Sequence, residues 1–266
     1  MPTSKRQRQR ALRAAKRAHM EAAARRRRWQ LGGGGSALVL VAAGAISYAF
    51  VAQGGKAAKP VRTSSTTARP SSTTTTAAVA APCPPVSGAP SRRTSFSKPP
   101  PSCLQPGKSY KANVVTDAGS FTITLDNANP VVVNDFVYLA RYKFYNGLIF
   151  QRVIPGAVVQ GGDPNPLVNT QPQGPGYTVK GAVPKAGAYK VGTVAMVNTG
   201  SQPAGTAGSQ FFVVVGPRGA SLHPLYSLLG QVTSGLDTVK RIEANGTANG
   251  NPKVDHYIIS MTISSS

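Results

Sequence analysis

Apolar and polar residues follow three rhythms along the chain. Residues 29–55 contain no charged side chain, and 31–52 (LGGGGSALVLVAAGAISYAFVA) form an apolar run of 22 residues, close to the roughly 20 that cross a bilayer core as a helix. Trp29 and Tyr48 are placed for its two interfaces. Residues 56–109 are the opposite case, dominated by Ser, Thr, Pro and Ala with isolated apolar side chains. They offer too little apolar surface to offset ordering entropy, so a disordered linker is expected. From residue 110 the rhythm becomes period two, the mark of half-buried strands.

In that third region the run SFTITL sets Phe121, Ile123 and Leu125 on one face, and with 111–116 it flanks Asp117-Ala118-Gly119, which reads as a hairpin turn. Asn129-Pro130 supplies an N-cap and a proline at the first helical position. The helix expected over 131–142 carries Val133, Phe136, Val137 and Ala140 at helical spacing. Residues 150–163 (FQRVIPGAVVQGGD) form a short apolar piece with Phe150, Val153 and Ile154, turn at Pro155-Gly156, resume with Val158 and Val159, and stop at Gly161-Gly162. A second helix is expected over 235–243 and a last strand over 257–263. Many short strands with two helices imply a mainly β domain over 110–266, closed as an antiparallel barrel because closure removes exposed strand edges.

Charge sharpens the division. The formal net charge is +22, yet residues 1–28 hold 11 Lys/Arg against Glu21, residues 53–109 hold eight basic residues and no acid, and residues 110–266 balance 11 basic residues against seven acidic ones. The excess sits in the tail and linker, which cannot build a groove-reading surface, so nucleic acid is not an expected partner. A basic tail over 1–28 ahead of an apolar span over 29–55 places the amino terminus in the cytoplasm and the 110–266 domain outside, as a single-pass membrane protein. A cleaved signal peptide, with Ser47-Tyr48-Ala49 as its cleavage site, is the alternative. Cys83 and Cys103 lie in the linker, where a disulfide and two free or intermolecular thiols are both open. With three His and no C-x-x-C pair, neither a metal nor another cofactor is expected.

Arg152 and Gln160 stand out in 150–163, since each sets a strong hydrogen-bonding group among apolar neighbours, where it needs a partner or a ligand. The stretch closely resembles the signature F-H-R-V-I-P-G-F-x-x-Q-G-G-D of the cyclophilins, peptidyl-prolyl cis-trans isomerases, and in particular a membrane-anchored, actinobacterial-like form. Gln151 stands where His is usual and Ala157 where a pocket Phe is usual. GPGY at 174–177, GTVAMVN at 192–198, GSQFFVVV at 208–215 and LHPLYSLLG at 222–230 resemble further elements of the family in the same order, with Leu229 in place of Phe. Ser221 or its neighbours occupy the place where many members carry a Trp.

That resemblance implies an eight-stranded barrel capped by two helices, acting as a monomer on proline-containing polypeptides, exported or unfolded, at the outer membrane face. It implies Arg152 and Gln160 as catalytic residues, with Gln160 holding Arg152 in register. Val158, Val197, Asn198, Gln210, Phe212, Leu222 and Tyr226 become the substrate-binding set. The competing reading is a proline-peptide binding module that keeps the scaffold with little or no catalysis. A third makes the basic tail the functional part, binding nucleic acid or lipid.

Overall fold

The period-two alternation from residue 110 onward does form strands. In β1 (Tyr110–Thr116) the residues Tyr110, Ala112, Val114 and Thr116 are buried while Lys111 and Asn113 face solvent, and β2 (Gly119–Leu125) buries Phe121, Ile123 and Leu125 as expected. The computed structural model describes residues 80–166, 174–198 and 202–266. The expected tail, the apolar span and the first part of the linker therefore lie outside the described residues. Among those described, no helix is long and apolar enough to cross a membrane.

The hairpin of β1 and β2 turns at Asp117-Ala118, with Gly119 taking up a positive φ of 129°. After it come α1 (Pro130–Arg141), β3 (Arg152–Ile154), β4 (Val158–Gly161), β5 (Val179–Lys180), β6 (Thr193–Met196), β7 (Thr206–Ala207) and β8 (Phe211–Val214). The chain ends with α2 (Pro217–Ala220), β9 (Leu228–Ser234), α3 (Leu236–Glu243) and β10 (Ile258–Ser265). Among the described residues three helices thus stand where two were expected, α2 being a single short turn. Eight strands form one antiparallel sheet in the order β10-β1-β2-β9-β6-β8-β4-β3, and β5 pairs with β7 apart from it.

The expected closure is corrected: the sheet curls into a half-barrel, and its edge strands β10 and β3 are not laddered together. The reason lies in what each edge already holds. Val153 in β3 donates to Gly250 O at 2.8 Å and accepts from Thr247 N, so a loop takes the edge that β10 would need. What links the two ends is irregular chain, a bridge between Ile149 and Tyr257 with Phe150 donating to His256 O.

α1 buries Val132, Val133, Phe136, Val137 and Ala140 into the main core, where Phe211 meets Phe136 and Tyr145 edge to face at 5.7 Å and those two rings lie tilted at 5.0 Å. Asn129 does precede the helix and Pro130 opens it, but no side-chain cap bond forms. Its amide instead spans two loops, donating to Leu228 O and accepting from Ala182 N.

The linker reading fails for residues 80–109, which pack as a strap along α1. Phe96 is 4% exposed, with its ring 5.1 Å from Tyr138, 5.2 Å from Tyr142 and under the Arg93 guanidinium at 4.6 Å. The strap carries no regular element, so its polar backbone depends on others. Ala89 and Arg93 donate to the carbonyls of Arg141 and Tyr142, where α1 has run out of partners, and Phe96 donates to Pro175 O. Tyr138 and Tyr142, one turn apart, donate from their hydroxyls to Ala81 O and Pro82 O. Cys83 and Cys103 are disulfide-bonded, closing the strap on itself. Low apolar content was outweighed by one aromatic side chain with three partners waiting and one covalent link.

Asp135 is fully buried in α1. Its Oδ1 accepts the Tyr177 hydroxyl at 2.6 Å, while Oδ2 has no partner. Desolvation dominates over that bond and pushes its pKa from 3.8 to about 7.

Two outcomes follow. Cys83→Ser with Cys103→Ser opens a loop with a sequence separation of 20 and lowers the unfolding free energy of the full chain by about 3 kcal/mol in urea titrations. Asp135 binds its proton more tightly folded than unfolded, so its contribution to stability is complete below about pH 4 and is lost as pH rises through about 7. Urea midpoints measured between those pH values fall with rising pH in the wild type and flatten in Asp135→Asn.

Candidate active site

The sheet carries apolar side chains on both faces, and its pleat sorts them. Val153, Val159, Val213 and Val194 stand in register across β3, β4, β8 and β6 and point into the main core. The positions between them point the other way. Arg152 pairs with Gln160, Gln160 with Phe212 and Phe212 with Ala195, and one step along, Ile154 pairs with Val158 and Val158 with Val214. Val158, Ala195, Phe212 and Val214 join Tyr189 in a second, smaller apolar cluster, against which Val197, Leu222 and Tyr226 are partly buried.

This second face opens as a groove of about 240 Å³. Of the nine residues expected at the site, Arg152, Gln160, Val158, Val197, Phe212, Leu222 and Tyr226 line it. Asn198 and Gln210 do not. Asn198 follows β6, 8% exposed, and donates from its amide to Pro203 O at 2.6 Å. Gln210 is buried behind Gln160 as a brace: its Oε1 accepts Gln160 Nε2 at 2.9 Å and Gln151 Nε2 at 3.1 Å, and its own amide donates to Asp163 Oδ2 at 3.2 Å. Gln160 was expected to hold Arg152; its amide is instead held by Gln210, and its tie to Arg152 is the shared register of the two strands. Asp163 is buried, and that burial raises its carboxyl above the usual range.

Arg152 is exposed at the groove edge, and among the described residues no carboxylate is paired with it. Its stem passes over Gly250, where φ is 91° and a Cβ would stand 3.1 Å from Arg152 Cγ. A side chain there would displace the arginine. Phe212 meets Tyr226 edge to face at 5.2 Å. Behind both lies Tyr189, 3% exposed, whose hydroxyl donates to Tyr226 O at 2.8 Å and accepts from Tyr226 N.

Tyr189, Arg218 and Glu243, at or behind the groove, escaped the sequence reading. Arg218 is a second guanidinium on the wall, carried there by α2. That helix lies flat on the β3–β4 turn, with Arg218 N donating to Gly156 O and Val215 N to Ala157 O. The close seat needs glycine, since a Cβ at 219 would come 2.2 Å from Ala157 O. Ala157 itself lines the groove, so the wall is made from a methyl group and an arginine. Glu243 of α3 holds the same turn, its Oε1 accepting Gly156 N at 2.7 Å. A lone Arg in a Gly/Pro-rich stretch and a Glu on a distant helix leave no local pattern to find. Among the described residues no group of His, Cys, Asp or Glu could hold a metal ion.

The arrangement is an apolar notch with fixed positive charge at its edge and no carboxylate in its lining. It can take an apolar ring and present N–H donors to a neighbouring atom. Comparison with known proteins agrees in kind. The model of the family described as "Cyclophilin type peptidyl-prolyl cis-trans isomerase/CLD" matches residues 111–263. The chain is 41% identical over 120 residues to peptidyl-prolyl cis-trans isomerase B of Bacillus subtilis, covering 45% of this chain and 78% of that protein. It is 35% identical over 140 residues to a Helicobacter pylori peptidyl-prolyl cis-trans isomerase, covering 51% and 82%. In fold it is similar to a cyclophilin-type isomerase from Cryptosporidium parvum, with a TM-score of 0.51 at 23% identity, covering 59% of this chain and 99% of the other.

Proposed function

The chain belongs to the cyclophilin-type peptidyl-prolyl cis-trans isomerases, and from that premise we propose that the groove beside Phe212 is where it turns X-Pro bonds. Such a bond rotates over tens to hundreds of seconds, because amide resonance sets a barrier of roughly 18–20 kcal/mol. Rotation breaks the resonance and localises the lone pair on the prolyl nitrogen. A donor aimed at that atom is stronger in the twisted state than in either planar one, and only such a difference accelerates the step. No nucleophile or general base is called for.

The observation that carries this reading is the register row of Arg152, Gln160 and Phe212 on the groove face. The pyrrolidine ring enters against Phe212, Val158 and Leu222, with Tyr226 at the rim. Arg152, permanently charged and planar, addresses the prolyl nitrogen. Gln160, fixed by Gln210, orients the substrate backbone, and Val197 and Asn198 flank the chain beside the proline. Arg218 adds charge selectivity: two guanidinium groups without a lining acid favour substrates with an acidic residue next to proline.

We place the enzyme as a monomer of actinobacterial type at the outer face of a membrane, acting on exported or unfolded polypeptides. Eleven basic residues ahead of an apolar run of 22 support that placement. So does the Cys83–Cys103 pair, since structural disulfides persist in oxidising compartments.

Arg152→Ala lowers kcat/KM about 100-fold in a coupled proline-isomer assay and leaves the urea midpoint in place, because the side chain is exposed. An unchanged rate rules out the assigned role. With peptides differing only in the residue before proline, the wild type prefers Glu over Lys by about threefold at low salt. Arg218→Ala lowers that ratio towards one, leaving the smaller preference set by Arg152, while isomerisation of uncharged peptides continues.

A further inference from the structure

A second cavity, of about 360 Å³, lies where the strap, the end of α1 and the edge strand β10 meet. Its lining includes Ser87 and Gly88 from the strap, Arg141 and Lys143 from the end of α1, and Asn146 and Thr262. It holds two cations and no carboxylate. Arg141 is 6% exposed, and its Nε is buried without a hydrogen-bond partner. Among the described residues no acid is paired with it. Its guanidinium lies over the Tyr110 ring, whose centre is 5.9 Å from Cζ. A buried donor without a partner is a costly feature for a fold to keep, and Arg cannot escape by losing its proton.

Lys143 adds a second observation. α1 closes with Lys143 N donating to Ala140 O and Phe144 N to Leu139 O, the double bond pattern whose left-handed residue is ordinarily Gly. Here that residue is Lys143 at φ 55°, the one described non-glycine residue with positive φ. Its ammonium donates to Pro90 O at 3.0 Å, and the residue lines the cavity. A costly backbone conformation thus adds a second cationic residue to the lining of a cavity whose arginine has no paired acid. One wall is formed by Val86, Ser87 and Gly88, which precede the family match at residue 111.

We propose that this cavity is a binding site for a small oxyanion, a carboxylate or phosphate group, received by the Arg141 guanidinium with Lys143 at the rim. A planar fork facing two oxygens is the geometry that guanidinium groups bind best. The site is separate from the groove of Arg152, with which it shares no lining residue, and its occupancy is read without any isomerase assay.

The test is thermal unfolding of the full 266-residue chain in rising sodium phosphate or sodium acetate, at ionic strength held with sodium chloride. Wild type gains a rise in midpoint that sets in near the dissociation constant and then grows with the logarithm of anion concentration, about 4 °C at roughly ten times that constant. The more effective anion identifies the group preferred. General exclusion of phosphate from protein surfaces raises all variants alike, so the difference from Arg141→Met is the quantity read, and that variant loses the logarithmic part. Lys143→Gly relieves the left-handed turn and raises the dissociation constant fitted from the midpoints about threefold; it serves if Arg141→Met does not fold. A wild type that follows chloride in both salts, or a logarithmic rise that survives in Arg141→Met or is unmoved in Lys143→Gly, overturns the site and leaves Arg141 a hydrated structural residue.

Discussion

Register in the short β3–β4–β8–β6 ladder is the constraint on which the molecule depends. One face of these strands completes the core under α1, and the other builds the groove. Because side chains alternate with a period of two, a slip of one residue would send Arg152 and Gln160 into the core and leave Val153 and Val159 in solvent. Burial on both sides makes such a slip prohibitive. The catalytic face is thus held by the same apolar contacts that stabilise the domain, and it needs no separate scaffold.

The turns at the ends of the ladder do the rest. Gly156 and Gly162, at φ 72° and 92°, reverse and release the chain around β4. The first of these turns is gripped from two sides, by Glu243 of α3 and by the backbone of α2. Charge near the groove is therefore a matter of backbone placement, since α2 carries Arg218 wherever the β3–β4 turn allows it to sit.

What the sequence made legible follows the strength of local signals. The 150–163 hairpin was readable because apolar pairs, Pro155-Gly156 and Gly161-Gly162 all agree on the same strands and turns. β1, β2, α1 and α3 were readable from periodicity. β9 was missed because Leu228–Ser234 mixes exposed polar residues with two buried positions, and β5 and β7 are too short to show any period. Seven groove-lining residues could be named in advance because they lie in stretches that resemble the family's in order; four of them, Arg152, Val158, Gln160 and Phe212, stand on strands. Arg218, Tyr189 and Glu243 could not, since their roles arise from long-range packing. The strap was misread for a related reason: composition measures average apolar content, whereas Phe96 and the cysteine pair act as single anchors.

The closed loop of the strap also decides how the domain bears load. A pull arriving from the amino-terminal side meets Cys83, crosses the sulfur link to Cys103 and continues toward β1, so residues 84–102 are bypassed. Phe96 and its aromatic partners then feel almost none of the tension. The disulfide behaves as a strain relief, letting the enclosed segment keep its seat while the chain beside it is stretched.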